Sequence, residues 1–232
     1  MKFAIIAAGE GSRLRQEGIA QPKPLVRIGN ECLLDRLVRI FSRCGAEEIV
    51  LIVNAEYPET IWFANQLEER WHVPVKLIIK STPSSMHSFY ELSKYLTGKF
   101  CLTTVDTIFK EEEFATFIQE FEQSEKDGMM AVTDFIDDEK PLYISTTEAL
   151  RITGFHDERP TDCRFISGGI YCLSDKAIVT LNKCMDKGLS RMRNFQRALI
   201  EDGLEIEAYP FSKILDVDHA ADIEKAQAFL LQ

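Results

Sequence analysis

The chain has no Cys-x-x-Cys pair, no Gly-Lys-Ser or Gly-Lys-Thr, and no apolar run approaching the eighteen residues of a membrane span. Each absence removes a class of protein. The six cysteines (Cys32, Cys44, Cys101, Cys163, Cys172, Cys184) are scattered, several inside apolar runs such as Lys99-Phe-Cys-Leu-Thr103. They read as reduced thiols rather than a disulfide frame or a zinc site. The apolar run after Lys2 is too short for the core of a signal peptide and ends in charge, so a cytoplasmic protein with no membrane partner is expected. Basic residues are scarce as well: 27 Lys and Arg stand against 37 Asp and Glu, for a net charge of -10. A broad nucleic-acid surface needs clustered Lys and Arg, so no nucleic-acid partner is expected.

Against that acidic background one window stands apart. Between Arg13 and Arg27, four cations (Arg13, Arg15, Lys23, Arg27) face a single acid, Glu17. A basic pocket in an acidic protein suits a small anion. The window follows an unbroken apolar run over 2–8, without alternation and ending in Gly9, the pattern of a strand covered on both faces. Leu33, Leu34, Leu37, Ile40, Phe41 and Cys44 at helical spacing, stopped by Gly45, predict a helix over 31–44. A strand over 48–54, a helix from Pro58 to Arg70, a strand over 75–80, a helix over 86–96, a strand over 100–106 and a helix over 111–124 follow. Such alternation predicts an α/β, Rossmann-like, mostly parallel sheet with helices on both faces and ligands at the carboxyl ends of its strands. Short strands over 129–135, 142–146, 149–155 and 165–173 predict an antiparallel or mixed extension of the sheet. Helices over 175–187 and 193–202, strands over 205–211 and 213–218, and a helix over 220–230 complete the pattern. With no repeat, low-complexity segment or linker, 1–232 is expected to be one domain.

Gly9-Glu-Gly11 after a strand opens several kinds of phosphate loop. The dinucleotide fingerprint G-x-G-x-x-G places Leu14 where its third glycine belongs, and Asn54 where an acid should end the second strand. The P-loop fails for want of Gly-Lys-Ser/Thr. What remains is G-x-G-x-R-L followed by K-P-L: Gly9-Glu-Gly11-Ser12-Arg13-Leu14, then Lys23-Pro24-Leu25. Glycines let backbone N–H groups approach a triphosphate. Arg13 offers a fork of donors and Lys23 a point charge. Pro22 and Pro24 fix the backbone around Lys23.

On these residues the sequence resembles the nucleotidyltransferases that make nucleotide-activated sugars and alcohols, proteins of the nucleotide-diphospho-sugar transferase fold. Sugar-1-phosphate nucleotidylyltransferases and bacterial choline-phosphate cytidylyltransferases are the nearest types, and later motifs follow in the right order over nearly the whole chain. The resemblance implies transfer of a nucleoside monophosphate from a nucleoside triphosphate to a phosphorylated sugar or alcohol, with release of pyrophosphate and with Mg²⁺ as cofactor. It implies a nucleotide-binding half, 1–125, and an acceptor-binding half, 126–232. Arg13 and Lys23 become the catalytic cations. Ala7, Ala8, Gly9, Gly11, Ser12, Asn54, Ser81 and Ser85 become nucleotide contacts.

Magnesium takes one or two carboxylates and leaves its other positions to water and substrate phosphates. Asp106, ending a strand, is the first candidate ligand. Asp216 and Asp218 are both candidates for the second, since side chains two apart on a strand share a face. Asp157-Glu158-Arg159-Pro160 resembles the family's Glu-Lys-Pro with arginine in place of lysine, and Gly168-Gly169-Ile-Tyr171 resembles its glycine strand. Arg159 and Gly169 are therefore expected at the acceptor. Arg191 and Arg193 offer a second anion contact or a basic helix start. His219 is expected in a turn, and His72, His87 and His156 in structural roles. The base, the acceptor and the oligomeric state stay open. The alternative is a nucleotide sensor without catalysis on the same fold, against which the intact Arg13, Lys23, Asp106 and Asp218 speak.

Overall fold

The structure, a computed structural model, describes residues 1–137 and 139–231. It opens with β1 (Lys2–Ala7), a short helix α1 (Ser12–Gln16), a 3₁₀ turn (Lys23–Leu25) and a small hairpin of β2 (Arg27–Ile28) and β3 (Glu31–Cys32). Then come α2 (Leu33–Arg43), β4 (Ile49–Val53), α3 (Pro58–Ala64), α4 (Leu67–Trp71), β5 (Val75–Ile79) and α5 (Ser85–Ser93). Strands β6 (Phe100–Thr104) and β7 (Thr107–Ile108) lead into α6 (Glu111–Gln123). The remainder comprises β8 (Gly128–Thr133), β9 (Tyr143–Thr146), β10 (Ile152–His156), β11 (Phe165–Leu173), α7 (Lys176–Asp186), α8 (Met192–Glu201), β12 (Ile206–Pro210), β13 (Leu215–Asp216) and α9 (Ala220–Leu230).

Parallel pairing joins β5, β4, β1 and β6 in that spatial order. The sheet continues through β11, which runs antiparallel to β6, and on to β8, β9, β10 and β12. This is the expected mostly parallel, mixed α/β sheet. The unbroken apolar run of β1 is explained by its position: alternate side chains enter different cores. Phe3, Ile5 and Ala7 pack with Leu37 and Phe41 of α2 and Phe114 and Phe117 of α6. Ala4, Ile6 and Ala8 pack on the other face with Phe89 and Leu92 of α5 and Phe195 of α8. The rings of Phe3 and Phe41 lie 4.6 Å apart and those of Phe109 and Phe114 4.7 Å apart. Each such fully buried ring contributes roughly 1.5–3 kcal/mol.

Three element expectations are corrected. The strand expected over 100–106 ends at Thr104, and Val105 and Asp106 form the turn into β7. The helix expected over 58–70 is two helices, interrupted at Asn65 and Gln66. There the Asn65 amide donates to the Ile61 carbonyl at 2.8 Å and the Gln66 amide to the Trp62 carbonyl at 2.9 Å, and α4 stops at His72, which is left-handed (φ 52°). The strand expected over 213–218 shrinks to Leu215–Asp216, because its partner among the described residues, β7, is two residues long. Among the described residues all six cysteines are free thiols, and no helix is long and apolar enough to cross a membrane.

Candidate active site

Gly11 begins the site. It is left-handed (φ 60°), and a Cβ there would lie 2.9 Å from the Cβ of Lys23, so only glycine lets the turn and the 3₁₀ segment meet. Helix α1 then buries Leu14 and presents Arg13 on its outer side. The Pro-Lys-Pro segment is closed by bonds from Leu25 N to the Pro22 carbonyl (2.8 Å) and from Val26 N to the Lys23 carbonyl (3.1 Å). It holds the backbone of Lys23 under the cavity while its side chain reaches inward.

The acids arrive from far along the chain. β13 pairs antiparallel with β7, Asp216 opposite Thr107, and one residue further Val217 N donates to the Asp106 carbonyl at 3.1 Å. The next side chain, Asp218, therefore stands beside Asp106. Lys23 Nζ donates to Asp106 Oδ2 and, at 2.6 Å, to Asp218 Oδ1. Arg13 Nη1 donates to Asp218 Oδ2 at 2.8 Å. Burial works against the Lys23 ammonium, but Asp106 and Asp218 outweigh it and raise its pKa. Burial likewise opposes the Asp106 carboxylate, and Lys23 overcomes it, holding the carboxyl below its usual range. The second oxygen, Asp106 Oδ1, is buried without a hydrogen-bond partner. Asp218 is spared capping duty, because Asp222 accepts the N–H of His219 at 2.8 Å and that of Asp218 at 3.2 Å.

A cavity of about 600 Å³ lies over this cluster at the carboxyl ends of β1, β4 and β6. Ala8, Gly9, Gly11, Ser12, Arg13, Lys23, Asn54, Ser81, Ser85, Asp106 and Asp218 line it. Ala7 does not; strand alternation turns its methyl into the opposite core. Asn54 is committed internally: its amide donates to the Ala8 carbonyl at 3.2 Å, and its oxygen accepts from Ser81 Oγ (2.7 Å) and Glu56 N (2.9 Å). It ties three segments of the rim together rather than presenting a free edge. Ser88, Thr104, Glu10 and Glu56 also line the cavity and escaped the sequence reading. Ser88 sits one helical turn beyond Ser84, so one of the four followed from periodicity; Thr104 ends β6 just before the turn that carries Asp106.

The expectation of a basic pocket is corrected. Arg15 donates to the Tyr57 hydroxyl and Arg27 to the Asn30 carbonyl, both outside the cavity. That leaves two cations, Arg13 and Lys23, against four carboxylates, Glu10, Glu56, Asp106 and Asp218. Such a lining attracts a triphosphate only if further positive charge accompanies it. Among the described residues no group of three or more His, Cys, Asp or Glu is arranged to hold a metal ion. Two converging carboxylates, one with an unpartnered buried oxygen, fit the small protein share that Mg²⁺ takes when phosphates supply the rest.

A second cavity, about 400 Å³, shares Arg13 and Asp218 with the first and is lined by Asp216, Ser167, Gly168 and Phe135. Asp216 and Asp218 thus part company: Asp218 reaches both cavities, Asp216 only the second. Gly169 (φ 72°) sits in the β11 bulge against Thr107, and it is Gly168 that lines the cavity. Arg159 is not brought to either cavity. Its Nε donates to the Cys163 carbonyl at 3.1 Å, and with Tyr143 and Arg193 it lines an open groove that adjoins the second cavity through Glu139. Arg193 donates to Asp157, and the Arg191 backbone N–H lies 3.5 Å from Ser84 Oγ. His87 pairs with Ser84, His156 with Ser145, and His219 with Glu17 at 2.5 Å.

A glycine turn, two cations and two carboxylates stand at the carboxyl edge of a sheet of the nucleotide-diphospho-sugar transferase fold. A sequence profile of the nucleotidyl transferase family matches residues 2–232, and the chain belongs to that family. It is 30% identical over 99 residues to a mannose-1-phosphate guanyltransferase of Aspergillus oryzae, covering 43% of this chain and 27% of that protein. It is 26% identical over 242 residues to a bifunctional IPC transferase and DIPP synthase of Rubrobacter xylanophilus, covering 98% of this chain and 51% of that one. The chain thus spans from about a quarter to about half the length of these curated relatives. In fold it resembles a putative glucose-1-phosphate thymidylyltransferase from Bacillus anthracis, with a TM-score of 0.86 at 15% identity over 99% of this chain and 95% of that one.

Proposed function

We propose that the chain is a nucleotidyltransferase that joins a nucleoside monophosphate, taken from a nucleoside triphosphate, to a phosphorylated sugar or alcohol. The observation that carries this reading is the convergence of Arg13, Lys23, Asp106 and Asp218 where the two cavities meet. An acceptor phosphate oxygen forms a bond to the α-phosphorus. The bond from that phosphorus to the oxygen bridging to the β-phosphate breaks, and its electron pair leaves with pyrophosphate. The attacking oxygen is already ionised near neutral pH, so no histidine is needed as a base.

In this reading Gly9, Gly11 and Ser12 present backbone to the phosphates, Ala8 supports the turn, and Lys23 and Arg13 neutralise charge on the leaving group and α-phosphoryl oxygens. Ser81 and Ser85 face the nucleoside. Asp106 and Asp218 hold Mg²⁺, which when bound lends positive charge to the phosphates. Asp216 and the Gly168–Gly169 bulge belong to the acceptor cavity. Residues 1–125 serve the nucleotide and 126–232 the acceptor, within one domain. A cytoplasmic location suits free thiols and this substrate class.

The test is pyrophosphate release, measured across four nucleoside triphosphates and a panel of phosphorylated sugars and alcohols with Mg²⁺. Release with at least one pair is expected. No release with any pair, together with tight nucleotide binding, would replace this reading with that of a sensor.

A further inference from the structure

Lys23 occupies an unusual position for a phosphate-binding lysine. Its ammonium is spent on Asp106 and Asp218, the two carboxylates assigned above to the metal. Its side chain is only 11% exposed, and its backbone is pinned between two prolines. The rotatable bonds of its four-carbon stem let the ammonium move while the backbone stays in place. We infer that Lys23 is the internal counter-ion of Asp106 and Asp218, and that a divalent cation and the triphosphate enter together by drawing it off these carboxylates. This rests on the transferase reading of the same site.

The physical argument is one of charge. With Lys23 in place, one ammonium and the half-exposed Arg13 serve two carboxylates, and Asp106 Oδ1 stays buried without a partner. A divalent cation arriving alone at those oxygens meets the ammonium at contact distance and is repelled. A triphosphate arriving alone meets a lining of four carboxylates and two cations, both of them already paired. When both arrive, the cation takes the carboxylates and the phosphates take the ammonium, so every charge is matched. Each therefore strengthens binding of the other, and the coupling is reciprocal.

The experiment measures Mn²⁺ binding to the full nucleotide-free chain by electron paramagnetic resonance. Lys23→Gln keeps a hydrogen-bond donor for the carboxylates, and Lys23→Met is the second variant should the first fold poorly. Both are expected to bind Mn²⁺ about tenfold tighter than the parent. Arg13→Met removes an equal charge beside Asp218 but not from between the carboxylates, and is expected to change Mn²⁺ affinity less than about threefold. In the parent chain, Mg²⁺ should tighten binding of inorganic tripolyphosphate, a probe without a base, by about tenfold or more in calorimetry. Mn²⁺ affinity unchanged or weakened in both Lys23 variants, or strengthened equally by Arg13→Met, overturns the exchange. The outcomes separate cleanly from the transferase test. A chain that releases pyrophosphate but shows no such Mn²⁺ response keeps its function and loses the exchange; a chain with the response and no release does the reverse.

Discussion

The backbone N–H of Val217 donates to the carbonyl oxygen of Asp106 at 3.1 Å. This one bond carries the pairing of β7 and β13 a residue past its end and delivers Asp218 beside Asp106. Asp216, inside the pairing, points its carboxylate into the neighbouring cavity instead. The two aspartates therefore have separable roles. Asp106→Asn and Asp218→Asn are each expected to lower kcat about a hundredfold or more, with circular dichroism unchanged. Asp216→Asn should act mainly on the KM of the acceptor. A hundredfold kcat loss in Asp216→Asn with full activity in Asp218→Asn would reverse the assignment.

Gly11 and Gly9 make a matched pair for a second test. An added Cβ at Gly11 collides with Lys23, and the backbone there is left-handed, whereas a Cβ at Gly9 meets nothing within 4 Å. Gly11→Ala should cost about 1–2 kcal/mol of stability and lower kcat by displacing Lys23. Gly9→Ala should leave the melting temperature in place and act on nucleotide KM alone. Thermal melts beside steady-state kinetics distinguish the two.

Arg159 lines neither cavity; it faces a groove that meets the second cavity at Glu139, and it donates to the Cys163 carbonyl. Arg159→Ala is accordingly expected to keep kcat/KM for the acceptor within about threefold, the range of a remote surface charge. A hundredfold loss would mean that the loop carrying Arg159 closes over the acceptor during turnover.

Away from the site, Arg39 joins α2 to two acids, donating to Glu31 at 2.8 Å and to Glu111 at 2.7 and 2.9 Å. Its bonds hold the Glu111 carboxyl below its ordinary pKa. A depressed carboxylate stabilises the fold above its unfolded pKa and loses that contribution as pH falls through the folded value. Arg39→Met should therefore cost about 1–2 kcal/mol near pH 7, discounted for partial exposure. The difference from the parent should shrink below about pH 4. Urea melts at pH 7 and pH 3.5 measure it; a gap that widens in acid would contradict the pairing.

Periodicity determined most of the architecture of this protein. Short apolar runs without alternation, rich in Ile and Val and bounded by Gly or polar turns, suit strands covered on both faces, and Leu37, Ile40 and Phe41 at helical spacing bury one stripe, so a mostly parallel sheet with helices on each side follows from local pattern. The spacing of Gly9, Gly11, Arg13 and Lys23 likewise grouped the glycine turn with its two cations, because those contacts lie close together in the chain. Other features depend on which distant segments meet, and only the tertiary structure decided them. The β7–β13 pairing separated Asp218 from Asp216. Hydrogen bonds to Tyr57 and Asn30 removed Arg15 and Arg27 from the pocket, and a turn held by Cys163 carried Arg159 away from it. Lys23 shows both sides of the division: its sequence context marked it as a cation for phosphate, and the fold placed it between the two carboxylates it must release.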